Sequence, residues 1–190
     1  PIIGPGKYTA QLFKQIEGKY ESISEKVDFN IKPLHKGSLN SSPNSVVVDF
    51  WNKVYKLRND ANELSNNISD CKKKIDRMLK SYQRAKSIDE ELQSTLLEKR
   101  AEILKLQQQL NGSKVRKEIG EQNELPTIWT YLWASSSFSS TYGPTTTQRK
   151  SLMNANKIYT KLSVDFKTID NSINSLNIKL EKIGAPKIEK

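Results

Sequence analysis

Between Thr147 and Ile183 the apolar residues fall at Leu152, Ala155, Tyr159, Leu162, Phe166, Ile169, Ile173, Leu176, Leu180 and Ile183, in steps that alternate three and four without a break. That spacing is a heptad repeat and places one narrow apolar stripe along a helix. Both ends are marked: Pro144 is followed by Thr145, Thr146 and Thr147, which offer a hydroxyl cap, and Gly184 with Pro186 supplies a stop. A helix of ~37 residues is ~55 Å long at 1.5 Å per residue. It cannot bury its own stripe, so it requires partner helices.

The chain contains one such partner. Ser42-Pro43 reads as N-cap and first helical residue, and Val47, Phe50, Val54, Leu57, Ala61, Leu64, Ile68, Cys71, Ile75, Met78 and Tyr82 again step by three and four. A shorter helix over 88–110 carries Leu92, Leu96, Ile103, Leu106 and Leu110 and closes at Asn111-Gly112. Lys99 stands where its seam calls for an apolar residue; either Lys99 snorkels, or the seam shifts onto Leu97 and Leu104. The expected fold is therefore mainly α: an elongated up-down-up three-helix antiparallel bundle with coiled-coil-like seams. Its long helices span about 43–85 and 147–183. The middle helix is too short for the others, and a short helix over 125–134, entered through Pro126, is expected to fill the remaining length.

Residues 4–31 read differently. Gly4-Pro5-Gly6 is a turn, Tyr8, Ala10 and Leu12 alternate with Thr9 and Gln11, Glu17-Gly18 is a second turn, and Val27, Phe29 and Ile31 alternate with Asp28 and Asn30. The expectation is one β-hairpin, with domain 1–37 as the last strands of a truncated β-sandwich and 38–190 as the helical bundle. Two strands alone are marginal in water because one face stays unburied. Packing of the hairpin on the end of the bundle is the alternative. A linker rich in Ser, Asn, Gly and Pro follows, and it holds the single histidine, His35, read as solvated.

Composition narrows the chemistry. Only 35% of the 190 residues are apolar while 27% are charged, which suits a bundle with much exposed surface. The net charge of +10 permits anionic partners, but the lysines are interspersed with Glu and Asp and form one run, Lys72-Lys73-Lys74. Solvated helix faces account for that pattern better than a basic stripe for nucleic acid, so a nucleic-acid partner is disfavoured. With one His and one Cys, neither an ordinary zinc site nor a His-based triad can be assembled, and there is no glycine-rich phosphate loop. Carboxylates such as Asp89, Glu90 and Glu91 lie on a charged face. No catalytic residue, cofactor or metal site is expected. Cys71 lies on a seam and reads as a small core residue. No apolar run approaches the ~18 residues of a membrane span. The chain begins with Pro1 rather than Met, so it is expected to be processed or cut from a longer protein, and the lack of a signal peptide says nothing about its address.

One candidate binding surface stands out: Trp129, Tyr131, Trp133, Phe138 and Tyr142, around Ala134-Ser135-Ser136-Ser137. These rings could stack sugars or bases, or dock another domain. They could equally plug the bundle where the middle helix runs short, packing with Leu125, Ile128 and Leu132. Plugging is the expected role, with Trp129 and Trp133 at least partly buried.

Four short motifs carry a family resemblance. Glu124-Leu125-Pro126-Thr127-Ile128-Trp129, Gly143-Pro144-Thr145-Thr146-Thr147-Gln148-Arg149 and the terminal Gly184-Ala185-Pro186 are similar to the C-terminal region of exported bacterial proteins that carry sortilin-like, Asp-box (BNR-type) β-propellers and are often labelled glycosyl hydrolase-like. Gly4-Pro5-Gly6-Lys7-Tyr8-Thr9 resembles the strand that closes their β-sandwich ahead of a helical tail. Where that family has an acidic residue after the threonines, this chain has Gln148. The resemblance implies a non-catalytic C-terminal structural or interaction module with a secreted, periplasmic or cell-surface address. Its implied partners are upstream sandwich and propeller domains. A glycan-binding accessory domain using the aromatic cluster, and an intracellular coiled-coil adaptor or basic nucleic-acid-binding module, are the alternatives.

Overall fold

A computed structural model describes residues 3–34, 40–136 and 142–187. In chain order the elements are β1 (Gly6–Ala10), β2 (Phe13–Ile16), β3 (Lys19–Ser22), β4 (Val27–Ile31), α1 (Asn44–Tyr82), α2 (Glu90–Asn111), α3 (Lys114–Glu118), α4 (Ile128–Ser135) and α5 (Thr146–Lys182). The protein is mainly helical, with five helices among the described residues. It divides into two compact units, Pro1–Lys53 with Phe138–Thr145, and Val54–Ser137 with Thr146–Lys190. The division falls within α1, after Lys53, rather than in the linker that precedes that helix. His35 lies outside the described residues.

In the first unit, β1 pairs antiparallel with β4, setting Tyr8 opposite Phe29 and Ala10 opposite Val27. β2 pairs with β3 through the two-residue turn Glu17-Gly18, in which both residues have positive φ, 49° and 80°. A turn of that hand matches the twist of the flanking strands and demands a residue such as Gly at its second position. Between the two ladders the pairing is interrupted but not lost: Ile23 N donates to the Leu12 carbonyl, while Leu12 N donates to the Ser24 hydroxyl instead of a backbone oxygen. The expected hairpin is thus present as a ribbon with one break. Its registers place Tyr8, Ala10, Val27, Phe29 and Ile31 on one side and Lys7, Thr9, Asp28 and Asn30 on the other. The apolar side is poorly covered, with Val27 63% and Phe29 44% exposed. In the same unit the Ser42 amide donates to the Tyr142 carbonyl, the Tyr8 hydroxyl donates to the Gly4 carbonyl, and the Phe50 and Trp51 rings meet edge to face at 5.6 Å.

The second unit holds the seams. Every stripe residue of α1 from Val54 to Tyr82 is buried, as are Val47 and Phe50 of the same stripe in the first unit. In α5, Ala155, Leu162, Ile173, Leu176 and Leu180 are buried, while Leu152, Tyr159, Phe166, Ile169 and Ile183 pack against the core from its edge. Phe166, on the predicted stripe, is half-buried rather than buried, so α5 withdraws a narrower face from water than α1 does. Leu92, Leu96, Ile103, Leu106 and Leu110 of α2 complete the cluster. Each such side chain is worth about 1.5–3 kcal/mol on removal from water. Lys99 resolves by snorkelling: its ammonium bonds both carboxylate oxygens of Glu102 one turn on, at 2.8 and 2.9 Å, and Leu97 stays 51% exposed. The seam does not shift.

The helix ends have local causes. Asp89 caps α2 by accepting from the Leu92 amide at 3.0 Å, and Glu90 and Glu91 complement the positive end of the helix dipole. α5 ends as its glycine promised: Gly184 has φ 71°, and the amides of Gly184 and Ala185 bond the carbonyls of Glu181 and Leu180. α1 starts one residue later than expected, because the Pro43 carbonyl, not a Ser42 cap, receives the first amides from Val46 and Val47.

Polar bonds record which levels of the helices meet. The Tyr82 hydroxyl bonds the Asp89 carbonyl, Arg100 bonds Asp76 and Asn111 bonds Ser65, so partners descend α1 as α2 ascends. Arg58 then reaches Ser136, just beyond α4. Along α5 the partners ascend together: Cys71 with Asp170, Lys74 with Asn174, and Ser81 with Pro186. Asp76 takes both Lys72 and Arg100 at 2.7 Å. Burial alone would raise its pKa, but these two cations outweigh burial and hold the carboxyl below its ordinary value. Cys71 goes the other way: burial, and then Asp170 beside it, push the thiol up to about 11.

Candidate functional site

α4 starts at a capping box, in which the hydroxyls of Thr127 and Thr130 serve each other's end of the first turn. Ile128, Leu132 and Ser135, at steps of four and three, form its buried face. Trp129 flanks that face and is half-buried; its indole N–H donates to the Asn111 side chain at 2.9 Å, and Asn111 in turn donates to Ser65 at 3.1 Å. One tryptophan therefore ties α4 to the end of α2 and to α1. Tyr131 is half-buried as well. Trp133 is 78% exposed, contrary to the expectation that both rings plug the bundle. Ile128 and Leu132 occupy the inward stripe, and Trp129 and Trp133 share the flank beside it one turn apart; Trp129 is the one that meets the end of α2, through Asn111. Leu125, expected to pack with them, lies ahead of the helix and is 77% exposed.

The residues of the candidate aromatic surface fall in different parts of the chain's structure. Trp129, Tyr131 and Trp133 belong to the second compact unit, Tyr142 belongs to the first, and Phe138 lies outside the described residues. What the structure assembles around the start of α4 is a cleft of about 470 Å³ in the second unit. Gln108 and Gln109 from the last turn of α2, Arg116 of α3, Asn123 to Thr127, and Ile158, Lys161 and Leu162 of α5 line it. Its walls are held by polar bonds. Asn123 accepts from the Ser113 amide at 2.9 Å, Lys117 donates to the Asn111 carbonyl at 2.7 Å, and Arg116 pairs with Glu124. Sequence reasoning did not find this cleft. α3 is five residues long and shows no periodic stripe, so only the Asn111-Gly112 stop and Pro126, which bracket it, signalled an interruption.

Among the described residues no three His, Cys, Asp or Glu side chains are grouped to hold a metal ion, and no helix is long and apolar enough to cross a membrane. Comparison of the chain with protein-family models, with curated proteins and with solved structures finds no match.

Proposed function

We propose that this chain is a non-catalytic structural and interaction module, the C-terminal part of a larger exported protein of the sortilin-like, Asp-box propeller type. Its helical part is read as an up-down-up three-helix antiparallel bundle, with α1 and α5 as the continuous outer layers and α2 followed by α4 as the returning layer. The partner order along α1 supports that reading: Asp89, Arg100, Asn111 and Ser136 meet successively earlier residues of α1, whereas Asp170, Asn174 and Pro186 meet successively later ones.

The observation that carries the functional reading is the β ribbon. It is one-sided, with polar residues on one face and Tyr8, Ala10, Val27, Phe29 and Ile31 on the other, and Val27 and Phe29 stay largely exposed. A sheet of that pattern is built to be covered on one face. In this reading the cover is a neighbouring sheet of the same polypeptide, and the address is secreted, periplasmic or cell-surface. The reading frame upstream of Pro1 tests it. Asp-box repeats and an export signal there, with protection of the Val27 and Phe29 amides from hydrogen exchange in the longer protein, are the expected result. A frame without them returns the chain to the intracellular-adaptor class.

A glycan-binding role is the second reading, and the exposed indole of Trp133 favours it, since an open aromatic face is what a sugar ring stacks on. Titration of an oligosaccharide panel against the protein and against Trp133→Ala decides it. Saturable binding that the substitution abolishes, with the melting temperature unchanged, establishes the glycan reading; a panel without saturable binding ends it.

A further inference from the structure

We propose that the cleft between the end of α2, α3, the 123–127 segment and α5 binds a small amphiphilic anion, an apolar chain carrying one carboxylate. The inference is independent of the module reading above, since it rests on another part of the molecule. At about 470 Å³ the cleft falls within the ~300–1,000 Å³ of small-ligand sites. Its floor is formed by the buried Leu162 and Thr127 with the half-buried Ile158, and Pro126 and the exposed Leu125 extend the apolar wall to the rim. Leu125 leaves its side chain in water at the mouth of a cleft whose interior it matches, so a chain lying along it covers surface that is otherwise wet.

The sign of the ligand follows from which charges are already satisfied. Glu124 pairs with Arg116, Glu121 approaches Arg116 at 3.9 Å, and Glu118 approaches Lys114 at 3.6 Å. Lys161, at the rim, has no ion-pair partner among the described residues. It stands on α5, where Arg149, Lys150, Lys157 and Lys161 precede the first carboxylate of the helix, Asp165, one turn further on. Among the residues lining the cleft, Arg116 and Lys161 are the cations and Glu124 the one carboxylate; Glu124 is taken by Arg116, so the lining itself favours an anionic head over a cationic one. An apolar chain on Ile158 and Leu125 with its carboxylate at the Lys161 ammonium meets both features at once.

Titration of the full chain with octanoate, octan-1-ol and octylammonium, each below its micellar concentration and followed by amide chemical shifts, tests the proposal. Octanoate is expected to saturate one site, with shifts confined to residues 108–127 and 158–162, and to bind more tightly than octanol; octylammonium is expected to bind weakest. Lys161→Gln should weaken octanoate by roughly three- to fivefold, the size of an exposed ion pair, and leave octanol unchanged. Leu125→Ser should weaken both. Leu125 and Lys161 are exposed, so both variants should keep the parent melting temperature. Octanol binding as tightly as octanoate, an unchanged octanoate affinity in Lys161→Gln, shifts centred elsewhere or the lack of saturation would each overturn the assignment.

Discussion

The helical unit and the β ribbon spend the same kind of residue in opposite ways. In α1 every apolar residue of an unbroken stripe, from Val54 to Tyr82, is withdrawn from water. In the ribbon an equally regular alternation leaves Leu12, Val27 and Phe29 exposed. Periodicity states which side of an element is apolar; it does not state that the chain itself supplies the cover. The helices meet one another's seams within one unit, whereas a two-stranded ribbon has no second layer of its own.

Substituting one residue on each side gives the largest expected contrast. Ile173→Asp sets an unpaired carboxylate among fully buried side chains and should cost about 3–5 kcal/mol in urea unfolding. Phe29→Asp, on the open face, should stay within about 0.5 kcal/mol. Equal costs would show that the ribbon face is covered in solution. The two tryptophans of α4 repeat the contrast on a smaller scale. Trp129→Ala removes a half-buried ring and its bond to Asn111 and should cost about 2–3 kcal/mol, somewhat below a full core aromatic. Trp133→Ala should change stability by less than about 0.5 kcal/mol.

Asp76 sharpens the picture of how α2 is held to α1. Its folded pKa lies below the ordinary carboxylate value, so its contribution is present above about pH 4 and is lost as pH falls through the folded pKa. Asp76→Asn should therefore cost about 1 kcal/mol at neutral pH, and the difference from the parent should vanish in acid. The smallest effect belongs to removal of residues 1–37. Because the compact units divide after Lys53, helix content should fall over the first turns of α1, residues 44–53, while the melting of the core from Leu57 onward stays nearly unchanged. Loss of cooperative melting would place the ribbon among the elements that stabilise the helices.

The seams were legible because three-four spacing over many turns has few other solutions, and the stop at Gly184 lies where that spacing ends; Asp89, read as one carboxylate on a charged face, is instead the N-cap of α2. The lysine in the α2 seam was an ambiguity that one neighbour settles: Glu102, a turn away, gives the ammonium a partner at the surface. The orientation of Trp133 was less accessible. In eight residues the inward face is set by where α4 lands on α5, a tertiary fact, and composition alone counts an exposed ring the same as a buried one. The cleft was not legible, since its lining comes from the end of α2, the short α3, the 123–127 segment and the interior of α5, up to 54 residues apart in the chain.

The interruption between α2 and α4 has a mechanical consequence. In the proposed bundle α1 and α5 run without a break, whereas α2 and α4 are two pieces joined through the 112–127 segment, where Val115, Ile119 and Leu125 are exposed. Segments with few buried contacts open at lower free energy than the helices around them. Amides from Gly112 to Thr127 should then exchange faster than those of α2 and α4 on either side, and each end of the helical unit gains the freedom to loosen without dragging the other with it.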